Sequence, residues 1–182
     1  MRSRLADAAG WLARARAGFD DPATGLAAAA GSARLGFLDG ARWMALALGC
    51  PRTDVAPAGY WWRLGLGKYG LATAPALVTA AMAWAWLPAL LPLAIVVFYA
   101  VEARMVFAFP LALHGHAAPL RQSHRLLRAT AGSAWATWQV MRIAAVMLFG
   151  GIGGGGARRS WCIGCLAVVE WYRDARLRAG IG

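Results

Sequence analysis

Over residues 71–113 the alternation of polar and apolar positions almost disappears. These 43 residues carry two charges, Glu102 and Arg104. A hydrocarbon core ~30 Å thick is crossed by about 20 apolar residues in a helix, so a run of this length holds two crossings. Pro88 and Pro92, beside Trp84 and Trp86, mark the bend, because proline interrupts the backbone ladder and tryptophan favours the membrane interface. The pattern predicts a helical hairpin, with residues 71–87 going across and residues 90–113 returning.

The flanking segments are patterned differently. In residues 2–19, Leu5, Ala8, Leu12, Ala15 and Phe19 recur at helical spacing, while Arg2, Arg4, Arg14 and Arg16 occupy the other faces. This predicts an amphipathic helix whose arginine-rich side suits a membrane surface, the alternative being packing on a soluble partner. Asp20-Asp21-Pro22 ends it, and Asp21 or Thr24 caps the next helix. Residues 24–49 are helix-prone, but Arg34, Asp39 and Arg42 interrupt them too often for a crossing. A second surface helix, or one half-inserted over residues 43–48, is expected up to Cys50-Pro51. Tyr60, Trp61, Trp62, Arg63 and Lys68 then read as an interfacial collar, closing an N-terminal region of residues 1–68.

Beyond the hairpin, residues 114–132 read as a polar basic loop. Its Arg121, Arg125 and Arg128, like Arg63 and Lys68, place both hairpin ends in the cytoplasm by the positive-inside rule. A further span is expected over residues 133–152, with Arg142 in its middle. A glycine-rich turn and a C-terminal helix, residues 160–178, complete the chain. That helix either makes a fourth crossing or stays half-inserted; a fourth crossing would put Arg158 and Arg159 on the non-cytoplasmic side. The expected fold is therefore all-α: a polytopic helical membrane protein with three or four transmembrane helices in residues 69–182, behind the amphipathic N-terminal region. Nothing alternates like a barrel strand.

Composition reinforces this picture. Of 182 residues, 60% are hydrophobic and 15% charged, with ten Trp, and the net charge is +11. In a soluble domain such a charge would point to nucleic acid. Here the arginines flank apolar runs, so anionic headgroups of a lipid bilayer are the expected partner and nucleic acid is not. Residues 1–20 have no continuous apolar core, so no cleavable signal peptide is expected. The richness in Ala, Gly and Arg fits a bacterial inner-membrane protein, with its N-terminus cytoplasmic.

Three groups of residues are candidates for chemistry. Charges inside a bilayer are expensive, so Glu102 is expected to pair with Arg142, with Arg104 as the competing partner. Cys162 and Cys165 form a C-x-x-C at a helix start, where the dipole lowers a thiol pKa. The five-residue string Trp161-Cys162-Ile163-Gly164-Cys165 resembles the thioredoxin active-site motif, though no βαβ pattern precedes it and Ile-Gly replaces the usual Gly-Pro. Two thiolates make half of a zinc site, and Cys50 is the one other cysteine. His114, His116 and His124 gather at a membrane edge, where imidazoles can bind a metal or a porphyrin-type pigment, or exchange protons. No nucleotide-binding or hydrolase motif is present.

No catalytic constellation is complete. The leading expectation is a non-catalytic accessory or scaffold subunit of a larger bacterial inner-membrane complex, with other membrane subunits as partners. One alternative is a small membrane enzyme, either a thiol–disulfide oxidoreductase using Cys162 and Cys165 or a lipid-handling enzyme using the histidines. Another is a pigment- or haem-associated subunit of an electron-transfer complex.

Overall fold

The computed structural model describes residues 7–32, 36–50, 56–152 and 156–180. Among them there is no strand. The helices are α1 (Ala8–Asp20), α2 (Leu26–Ser32), α3 (Phe37–Leu48), α4 (Ala58–Trp86), α5 (Leu91–Arg104), α6 (Ala108–Leu113), α7 (Pro119–Thr130), α8 (Ser133–Phe149) and α9 (Ala157–Ala179). The expected all-helical class is what forms. Among the described residues one helical stretch, Pro88–Leu113, is long and apolar enough to cross a membrane.

The centre of the bundle is α9. Its residues Ile163, Leu166, Ala167, Val169, Trp171, Tyr172 and Ala175 are all buried, and α1, α2, α3, α7 and α8 pack around it. The helix expected either as a fourth crossing or as half-inserted thus packs against five other helices. Its acidic residues explain why: Trp11 Nε1 donates to Asp174 at 2.8 Å, and Arg14 bridges Glu170 at 3.0 Å and Asp174 at 2.8 Å. Trp11 stacks on Trp171 with ring centroids 4.6 Å apart.

The amphipathic α1 therefore buries Ala8, Trp11, Leu12, Ala15 and Phe19 against its own chain, where a membrane surface was expected. Trp11, absent from the expected apolar face, is its anchor. Arg14 is engaged within the molecule, Arg16 is exposed, and Arg2 and Arg4 lie outside the described residues. Asp7 caps the helix by accepting from the Gly10 amide at 3.1 Å. That amide, with the Arg142 guanidinium, holds its carboxyl below the usual carboxylate range.

The chain reverses between α4 and α5 through a 3-10 turn, Pro88–Leu90, and the two helices pack on each other. The outgoing helix starts earlier than expected, at Ala58, and carries Pro75 in its interior. The returning one breaks at residues 105–107. The ring of Pro110 would clash with the carbonyl four residues earlier, at Val106, and donates no amide there. The buried Ser123 hydroxyl accepts the Phe107 amide at 3.0 Å and so satisfies part of the broken ladder.

Residues 114–132, expected as a loop, are mostly helix. Pro119 suits the first turn of α7, and Ser123, Leu126 and Leu127 face inward. Arg121, Arg125 and Arg128 recur at helical spacing and are exposed together on one face. Polarity alone concealed that period.

Candidate functional site

At the root of the hairpin a cleft of about 620 Å³ opens between α2, α3, α4, α5, α6, α8 and α9. It lies within the size range of small-molecule sites. Its walls are mainly apolar and aromatic, with Phe37, Trp43, Trp62, Tyr69, Phe109 and Trp161 among them. Phe37 packs against Gly65, and a Cβ at that glycine would meet the Phe37 ring at 2.6 Å. Gly65 thus allows α3 to set its aromatic ring against α4.

The polar end of the cleft is an ion pair. Lys68 Nζ lies 3.0 Å from Glu102 Oε1, and their side chains are 6% and 14% exposed. The ammonium also lies 5.0 Å from the Tyr69 ring centroid and 5.6 Å from that of Phe109, both attractive to a cation. Burial disfavours the charge on Lys68, but the Glu102 carboxylate together with Tyr69 and Cys165 more than offsets this and leaves its pKa above the ordinary lysine value.

This replaces the expected Glu102–Arg142 pair. Arg142 bonds Asp7 at 3.0 Å instead, tying α8 to the start of α1. Beside that contact, Gln139 accepts the Ala8 amide at 2.7 Å. Arg104 is exposed in the last turn of α5, where a cation is favoured by the helix dipole. Lys68 and Trp61, expected at a membrane surface, are buried, at 5% and 1% exposure. Trp61 Nε1 donates to the Ala56 carbonyl at 2.8 Å. Trp62 and Arg63 are exposed.

Cys162 and Cys165 line the same cleft, so Glu102 and the thiols, read separately from the sequence, share one site. Both thiols are free. Burial pushes Cys165 up to about 12, with Cys162 adding to the effect, and it raises Cys162 as well. The expected lowering by the helix dipole fails because α9 begins at Ala157, one turn before the motif. The dipole acts within the first turn. Neither thiol is disposed to be a nucleophile at neutral pH.

The histidines are elsewhere. His114 Nδ1 lies 2.9 Å from the Pro110 carbonyl and 3.3 Å from the Tyr172 hydroxyl. His124 Nδ1 is buried without a hydrogen-bond partner, and His116 is half-buried. Among the described residues no three His, Cys, Asp or Glu side chains gather as metal ligands.

The residue whose role the sequence reading missed is Lys68. It is the sole lysine in the chain, and between Asp54 and Glu170 Glu102 is the sole acid. Two such singular residues, on opposite arms of an apolar hairpin, were the available signal.

Compared with known proteins, the chain matches no family model, no curated protein and no solved structure.

Proposed function

We propose that this chain is a non-catalytic accessory or scaffold subunit of a bacterial inner-membrane assembly, held in the bilayer by its α4–α5 hairpin. The observation that carries the reading is the hairpin's bare apolar surface. Residues 71–101 contain no charge. Leu77, Val78, Met82, Trp84, Trp86 and Ile95 are between 56% and 87% exposed. Only 22% of the most apolar window of Pro88–Leu113 is buried, whereas the core helix of a soluble protein is mostly covered. In water such a surface is a large apolar patch of the kind that marks an interaction site. In lipid it is the ordinary surface of a protein, and helical arms satisfy their own backbone.

The dimensions fit. Residues 71–86 of α4 extend about 24 Å at 1.5 Å per residue, against a hydrocarbon core of ~30 Å. Lys68 and Glu102 then lie at the near interface and Trp84 and Trp86 near the far one. The remainder of the chain, with its ion-paired α1 and α9, stays on the near side. Arg121, Arg125 and Arg128 on the exposed face of α7 are suited to anionic headgroups on the cytoplasmic leaflet. The depressed thiolate character of Cys162 and Cys165 supports the non-catalytic reading over thiol exchange.

Membrane fractions from expressing cells test the anchor. The full chain should resist alkaline carbonate extraction, and Leu77→Asp/Val96→Asp should be released. Native mass spectrometry from mild detergent tests the subunit role, where one partner in fixed stoichiometry is expected. Release of the unaltered chain by carbonate would overturn the anchor, and a monomer alone would overturn the subunit reading.

A further inference from the structure

The cleft at the hairpin root has a shape and chemistry that the anchor does not need. Its mouth is lined by Trp62, Leu66 and Trp161, exposed by 50%, 62% and 50%. Leu66, Leu77 and Trp84 stand 11 and 18 residues apart on α4, spacings that return a helix to the same face. The mouth thus continues directly onto the hairpin's outward apolar face. A molecule dissolved among lipid chains can enter along that face without crossing water.

Asp39, half-buried, and Arg158, exposed, also line the cleft, and its most deeply buried charges are Lys68 and Glu102. Their charges cancel, so a charged headgroup gains little there, and an anion would meet the Glu102 carboxylate. An ammonium has three donors, and Glu102 engages one of them, which leaves donors for a neutral acceptor oxygen. The surrounding rings favour a flat ligand. Phe37 lies nearly parallel to Tyr69 at 6.1 Å and to Phe109 at 6.2 Å, and meets Trp62 edge-on at 5.0 Å.

We propose that this cleft binds an uncharged, planar lipid of the quinone class, its carbonyl oxygen accepting from Lys68 and its apolar tail leaving past Leu66 along the hairpin. Binding alone is assigned, with no electron transfer. The route of entry rests on the membrane reading; the cleft and its ion pair do not.

The test uses the full chain in mild detergent and a 2-methyl-3-alkyl-1,4-naphthoquinone, whose blocked ring positions prevent addition by Cys162 or Cys165. Trp43, Trp62 and Trp161 line the cleft, so a bound quinone should quench tryptophan fluorescence saturably. Ala144→Phe, which fills the cleft, should weaken binding at least 10-fold, with Ala144→Leu as the milder second variant. Lys68→Met/Glu102→Met, which removes the donor and its partner together, should weaken it similarly with the thermal transition retained. Palmitate and a diacylglycerol should displace the quinone poorly. Unsaturable quenching, affinity unchanged in either folded cleft variant, or equal displacement by the acyl lipids would each overturn the proposal. A chain that resists carbonate yet shows no saturable quenching would sink this inference alone and leave the anchor standing.

Discussion

At the scale of single residues, Lys68 and Glu102 dominate because both are withdrawn from water and hold each other's charge. Removing one partner of a buried pair leaves an uncompensated charge, which costs ~3–5 kcal/mol. Lys68→Met or Glu102→Gln alone should therefore lower the detergent melting temperature sharply. Lys68→Met/Glu102→Met should recover most of that loss, since both desolvation costs vanish together. Strict additivity across the three variants would mean that the two do not interact. The pH dependence follows from the raised lysine pKa. A group whose folded pKa is raised stabilises fully below its unfolded value and loses that contribution as pH rises through the folded one. Lys68 should thus support the fold throughout the neutral range and fail only in alkali above its ordinary pKa of 10.5. A melting temperature that falls between pH 7 and 9 in the wild type but not in the double variant would contradict this.

The thiols give a second test at the same scale. With its pKa at about 12 against an ordinary 9.0, Cys165 has ~1,000-fold less thiolate than a free thiol at pH 7.5. Iodoacetamide should modify it slower than the unfolded chain by about that factor. Modification of folded and unfolded protein at the same rate would show an activated thiol and reopen the oxidoreductase reading.

At the scale of elements, contacts between helices decided what the sequence could not. The hairpin bend was legible because Pro88 and Pro92 act locally. The break at residues 105–107 was legible in principle from Pro110, but the continuous apolar run hid it. The partner of α1 was not legible: an amphipathic face looks the same whether it meets lipid or α9, and only Asp174 and Glu170, over 150 residues away, distinguish the two. The start of α9 at Ala157 was missed by three residues, enough to move Cys162 out of the reach of the helix dipole. Gly164 illustrates the packing scale. A Cβ there would meet Met147 Sδ at 2.6 Å, so this glycine lets α8 approach α9. Gly164→Val should destabilise the bundle by ~1–3 kcal/mol through overpacking, read as a lowered thermal midpoint. Adding Met147→Ala should restore part of it; no restoration would place the strain elsewhere.

At the scale of the whole molecule, the described residues form a helical bundle closed by internal ion pairs, from which the uncharged residues 71–101 of the hairpin extend with apolar side chains exposed. Under the proposed anchor those two parts meet different solvents, and composition alone did not separate α1 and α9, whose apolar faces pack within the protein, from the exposed hairpin. The most direct measurement is the depth of the hairpin in a bilayer. Single spin labels at Thr73, Leu77, Ala81 and Ala85, in a chain whose cysteines are changed to Ser, would be read in vesicles containing anionic lipid. Inserted arms predict oxygen accessibility that peaks at Leu77 and Ala81 and falls towards both ends, with a water-soluble nickel chelate showing the reverse. High nickel accessibility at all four positions would place the hairpin in water and contradict the account.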